Sequence, residues 1–262
     1  MFGCKRYIGT YLVACGMLTA PVASVAMARA VPTPHAVAAA DVKALAAATD
    51  TFLKKYVSPE GNVNYRAVKS SPAQLNTLVQ QVQTMAVQSL TPAEKKAFYL
   101  NAYNVLVIGA VLESYPLTSV MKLPGFFDKK QLTVAGEKMT LNELETNKLR
   151  KPYNDPRVHF ALVCAAKGCP QLSREAYTPA KVEAQLTAQA QRVLRNPKFI
   201  RVEESTKKVQ LSEIFKWYDA DFKATGKSTV AYINQFRGRQ LIPAGFTTDY
   251  YTYDWTLNDS GR

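Results

Sequence analysis

Histidine and cysteine are scarce in this chain. It has two histidines and four cysteines, and Cys4, Cys15 and His35 all fall within the first 35 residues. The rest holds only His159, Cys164 and Cys169. Three candidate ligands cannot complete a structural zinc site, so no metal is expected, and no motif implies a cofactor. The two cysteines enclose four residues, a spacing that departs from the C-x-x-C of thioredoxin-like proteins. Basic residues never form a run interleaved with aromatics. They occur at most as pairs such as Lys95-Lys96, Lys129-Lys130 and Lys207-Lys208, which excludes a nucleic-acid reader. No internal repeat and no second domain boundary is visible.

The first thirty residues read as a leader. Lys5 and Arg6 precede an uncharged stretch from Tyr7 to Met27, which ends in the small-residue pattern Ala28-Arg29-Ala30. Gly9, Gly16 and Pro21 interrupt it, so a cleaved signal peptide is expected over 1–30 rather than a membrane anchor. Leu12-Val13-Ala14-Cys15 resembles a lipobox, which would place a lipid on Cys15. Either route puts the domain outside the cytoplasm, periplasmic or secreted. Residues 31–48 read as a linker and the start of a helix, and 49–259 as a single globular domain.

Without the leader about 230 residues remain, enough for one sizeable core. Loss of Lys5, Arg6 and Arg29 lowers the net charge from +13 to +10. Such a charge suits an anionic envelope ligand or association with a membrane surface.

Thr91-Pro92-Ala93-Glu94 is a helix start, with a cap, a proline in the first turn and an acid behind it. The very apolar run to about Ser114 predicts a central buried helix over about 92–114. Glu94, Phe98, Asn101 and Asn104 fall along one stripe of it. Buried asparagines must find partners: either backbone groups of a neighbouring loop, or groups of a site. Thr140-Leu141-Asn142-Glu143 is a capping box. Gln131–Met139 and Phe199–Leu211 read as hairpins, and Val158–Val163 as a buried strand feeding the loop that carries both cysteines. The fold class expected is α+β: one domain, with a small mixed or antiparallel sheet packed against several helices around the central one.

Four stretches resemble the domain-of-unknown-function family 547. They are Ala97-Phe98-Tyr99-Leu100-Asn101-Ala102-Tyr103-Asn104, Arg157 to Cys164 followed by Gly168-Cys169-Pro170, Leu211 to Tyr218, and Tyr253 to Asp259. The resemblance spans about residues 50–259. It implies kinship and carries no activity with it.

Two readings of the site follow. In the first, Cys164 and Cys169 form a disulfide that stiffens a ligand-binding loop. Trp255, Asn104 and Lys167 then help to line a pocket for a small-molecule, peptide or anionic envelope ligand. In the second, a cysteine is the nucleophile of a hydrolase or acyltransferase acting on amides or thioesters, with His159 as base and Glu94, Asn101 or Asn104 orienting it. Strand parity would turn His159 and Cys164 to opposite faces, which favours Cys169 as nucleophile over Cys164. The N–H groups of Ala165 to Gly168 would then supply an oxyanion site. A dithiol redox role is the third alternative.

Overall fold

The helix predicted at the centre of the chain is there. The computed structural model describes residues 1–3 and 32–261. The expected leader and Cys15 therefore lie essentially outside the described residues. Thr33–Arg262 form one compact unit.

Within that unit α1 spans Pro34–Tyr56, α2 Tyr65–Ser70, α3 Ala73–Thr84 and α4 Pro92–Glu113. The Thr91 hydroxyl and Glu94 carboxylate close the capping box of α4, with Pro92 in its first turn. Val105, Val107, Ile108 and Val111 are β-branched and weak helix formers. All four are buried, and burial on every side, rather than propensity, holds this helix together. Helix α1 starts at Pro34, with Thr33 as its cap, and buries Ala38, Val42 and Leu45. The core thus extends well ahead of the boundary expected at residue 49.

Strands β1 (Leu132–Val134) and β2 (Glu137–Met139) form the first expected hairpin. Its turn residues Ala135 and Gly136 both have positive φ, as a tight two-residue hairpin turn requires. Their N–H groups cap the end of α3 through the Val82 and Gln83 carbonyls.

The Thr140–Glu143 capping box opens α5 (Leu141–Glu143). The chain continues as a π-helix over Leu144–Arg150 and returns to α geometry in α6 (Lys151–Tyr153). Pro152 accounts for the widening, because its ring would collide with a carbonyl one regular turn back.

Residues Val158–Ala161, expected as strand, form the short helix α7. Asp155-Pro156 is the reason. The Asp155 carboxylate accepts the Arg157 N–H at 3.1 Å, and Pro156 presets the first turn. A short apolar run bounded by proline fits a helical turn as well as a strand.

Helix α8 (Val182–Leu194) precedes β3 (Ile200–Glu203) and β4 (Lys208–Ser212). Helices α9 (Ile214–Trp217), α10 (Asp219–Lys223) and α11 (Thr229–Arg237) follow, and then β5 (Thr247–Tyr251). The second expected hairpin forms, with Ile200 opposite Leu211. Strand β5 then adds in parallel to β4, Leu211 opposite Tyr250. The sheet is therefore mixed, with β4 at its centre and Val209 and Leu211 buried. Helices and two small sheets around α4 make an α+β fold, as expected.

Candidate functional site

The last residues of the chain fasten the cysteine loop. Lys167 N–H donates to the Thr256 carbonyl and Gly168 N–H to that of Asp254, both at 2.8 Å, while Asn258 N–H donates to Ala165 at 3.0 Å. A side chain at Gly168 would put its Cβ 2.9 Å from the Asp254 nitrogen, so the two strands of chain meet there only because glycine has none. Cys164 and Cys169 are joined by a disulfide, with their Cα atoms 6.3 Å apart.

On the other side, the π-helix and α7, α9 and α10 bring polar groups together beneath an aromatic wall. His159 is buried, with Nε2 2.7 Å from Asp221 Oδ2. Arg150 holds the same carboxylate with both ends of its guanidinium, Nε to Oδ2 at 2.7 Å and Nη2 to Oδ1 at 3.1 Å. The hydrogen bond from His159, then those from Arg150, keep the Asp221 carboxyl far below the usual range. Facing an ionised carboxylate, Nε2 is the donor. The imidazole stacks on Tyr218, with centroids 3.9 Å apart. The Tyr218 hydroxyl and the Glu145 carboxyl are neighbours at the same site and influence each other's protonation. Burial pushes Glu145 upward, against the pull of His159, Tyr218 and Arg150. Burial also raises Tyr218, with the Glu145 charge adding to it.

Glu145, His159 and Tyr218 line a cavity of about 350 Å³, with Arg150 and Asp221 set behind the imidazole. Trp217, Tyr253 and Trp255 form one wall, and Cys164, Tyr103 and Phe127 complete much of the rest. The indoles of Trp217 and Trp255 stack at 5.8 Å with 24° between their planes. Cys164 Sγ lies 3.1 Å from the Tyr253 hydroxyl. Cys169 lines a separate, more polar groove of about 390 Å³ with Lys167, Lys198 and Arg201. Its sulfur accepts the N–H groups of Cys164 at 3.1 Å and Ala166 at 3.4 Å. The cysteine loop is thus a partition, with partly exposed Cys164 lining the aromatic cavity and buried Cys169 on the groove side.

The expected site residues separate accordingly. His159, Cys164 and Trp255 share the aromatic cavity. Cys169 and Lys167 line the polar groove instead; because Val158–Ala161 is helix and not strand, Cys169 is not brought to the His159 side as expected. Glu94 belongs to the α4 cap and pairs with His35 at 3.2 Å. Asn101 brackets the Tyr177 backbone, accepting its N–H at 2.9 Å and donating to its carbonyl at 2.8 Å. Asn104 does the same across Ala161 and Val163, at 3.0 Å to each. Both asparagines are backbone latches. Three of the four N–H groups expected to form an oxyanion site, those of Ala166, Lys167 and Gly168, are already engaged.

Glu145, Arg150, Tyr218 and Asp221 were not singled out from sequence. Two signals pointed to them: a carboxylate flanked by Leu141, Leu144 and Leu149, and an acid three residues beyond Tyr218 in a stretch of short helices. Among the described residues no group of three His, Cys, Asp or Glu could hold a metal ion, and no helix is long and apolar enough to cross a membrane.

This is an α+β protein with an aromatic-walled cavity, lined in part by a buried imidazole that is paired with a half-buried carboxylate. Residues 87–194 match the model of the family described as "Protein of unknown function, DUF547", so the resemblance holds over that segment. No curated protein and no solved structure matches the chain. The matched segment carries Glu145, Arg150, His159 and both cysteines, while Trp217, Tyr218, Asp221, Tyr253 and Trp255 come from beyond it.

Proposed function

We propose that this is an exported cell-envelope domain that binds a small molecule in the aromatic cavity, with the Cys164–Cys169 bridge stiffening one wall. The observation that carries this reading is the placement of tryptophan. The chain has two tryptophans, and both line this cavity. A concave, largely apolar pocket with a few converging polar groups is the usual form of a ligand site. The ligand that fits has a flat or apolar face for the Trp217–Trp255 pair and a hydrogen-bonding group for Glu145 and Tyr218. The leader-like first thirty residues support export. With both sulfurs bridged neither is a nucleophile, so the hydrolase reading applies to the reduced protein alone.

Intrinsic fluorescence tests the proposal directly, because all of the tryptophan signal arises at the cavity. A panel of small envelope-derived compounds, including amino sugars, short peptides and aromatic acids, is titrated into the protein. A saturable change that Tyr218→Phe or Glu145→Ala weakens, each variant folded by circular dichroism, is the expected result. A flat response across the panel, with the disulfide intact, overturns the reading. Intact mass of the protein purified from its native host checks export: loss of about the first thirty residues supports it.

A further inference from the structure

The two sulfurs of the bridge have unequal surroundings. Cys169 is buried, 8 % exposed, and its Sγ sits under the N–H groups of Cys164 and Ala166. Cys164 is partly exposed on the wall of the aromatic cavity, and besides the bridge its Sγ meets the Tyr253 hydroxyl at 3.1 Å. In thiol–disulfide exchange the attacked sulfur must be reachable, and the departing sulfur leaves faster the better its negative charge is stabilised. Two backbone N–H groups aimed at one sulfur stabilise a thiolate there. Reachability and leaving ability therefore select the same direction of attack.

We propose that the Cys164–Cys169 bridge is redox-active, and that it exchanges with small-molecule thiols and disulfides that enter the aromatic cavity. This rests on the reading that the cavity admits a small ligand, and it names the reactive group of that ligand. The incoming thiol arrives as its thiolate, its proton left with water. The thiolate attacks Cys164 Sγ, a new S–S bond forms between substrate and Cys164, and the Cys164–Cys169 bond breaks. Its electron pair stays on Cys169, under the two N–H groups. A second substrate thiolate attacks the substrate sulfur of the mixed disulfide. That releases the substrate disulfide and leaves Cys164 as a thiolate, to which the Tyr253 hydroxyl donates. Burial holds Tyr253 protonated, which keeps it a donor. Two electrons pass from two thiols to the bridge. A small-molecule disulfide carries out the reverse sequence and re-forms it.

The structural alternative is an inert brace on the cysteine loop, and it predicts no preference between the sulfurs. Full-length protein is equilibrated with cysteamine and cystamine at graded ratios under native conditions, then acid-quenched, alkylated and peptide-mapped. Mapping separates Cys164 and Cys169 from Cys4 and Cys15. The expected result is opening of the bridge within the range of ratios, with the cysteamine adduct on Cys164 at least tenfold over that on Cys169. A bridge that stays closed in the native protein and opens only in denaturant overturns the proposal. So does an adduct found mainly on Cys169. The fluorescence panel reads the cavity separately. Saturable binding beside an inert bridge overturns exchange alone, whereas exchange at Cys164 beside a flat panel overturns the binding reading alone.

Discussion

His159 and Asp221 are joined by a 2.7 Å hydrogen bond across sixty-two residues of chain, and Arg150 donates to both oxygens of the same carboxylate. This contact ties the matched segment to the C-terminal part of the chain behind the cavity-lining imidazole. Asp221→Ala leaves the buried imidazole and Arg150 without their acceptor. A loss of roughly 1–2 kcal/mol is expected at pH 7, because Asp221 is partly exposed and solvent discounts the pairing. The Asp221 carboxyl is depressed in the folded protein, so its stabilisation is present above the ordinary carboxyl range and is lost as pH falls through the folded value. Urea unfolding at a series of pH values should show wild type and variant converging below about pH 4. A gap that stays constant to low pH contradicts the assignment.

Glu145 has the opposite sign. Burial raises its carboxyl, so the folded chain binds that proton more tightly than the unfolded chain does. Wild-type stability therefore falls as pH rises from the ordinary carboxylate range to the raised folded value. Glu145→Gln removes the titration while keeping the shape. Thermal unfolding should show no advantage for the variant near pH 4 and a higher Tm than wild type at pH 7. A lower Tm at pH 7 would mean that the Tyr218, His159 and Arg150 interactions outweigh burial.

Asn104 ties α4 to the segment between His159 and Cys164. Asn104→Ala strands the Ala161 carbonyl and the Val163 N–H in the interior, each worth about 1–3 kcal/mol. A loss of about 2–5 kcal/mol in chemical unfolding is expected, with a change in tryptophan fluorescence of the folded state. Asn101→Ala should cost a similar amount and leave that fluorescence unchanged, because its latch holds Tyr177. Equal fluorescence changes in the two variants would remove the link between Asn104 and the cavity.

Gly168→Ala forces a Cβ against the Asp254 nitrogen at 2.9 Å and the Tyr253 ring at 3.0 Å. The expected cost is roughly 1–3 kcal/mol, the usual scale of overpacking. The Lys167–Thr256 and Gly168–Asp254 hydrogen bonds are the contacts strained. Hydrogen exchange should report faster exchange at Lys167 and Gly168, with α4 amides unchanged. Protection retained at both positions would show that the loop yields without loosening.

Local chemistry in the sequence was enough for much of the fold. The Thr91–Glu94 helix start, the Thr140–Glu143 capping box, the Gln131–Met139 hairpin and the apolar length of α4 rest on local signals, and all form as expected. The two cysteines and His159 stand out in an otherwise apolar stretch, and the folded chain places His159 and Cys164 on one cavity. The form of Val158–Val163 was not legible, since a short, mostly apolar run suits helix and strand alike until the Asp155 carboxylate is seen to accept the Arg157 N–H ahead of it.

The site itself was decided by tertiary structure. The sequence by itself determined that a disulfide-capable loop, one histidine and two buried asparagines lie near the centre of an α+β chain. Only the folded chain assigned the asparagines to backbone carbonyls and N–H groups, placed Cys164 rather than Cys169 beside His159, and brought Glu145, Arg150 and Asp221 to the imidazole. The physical reason is range. Caps and turns act between neighbours a few residues apart. A buried charge must find its partner wherever the chain returns, and that return is set by how the elements pack around α4.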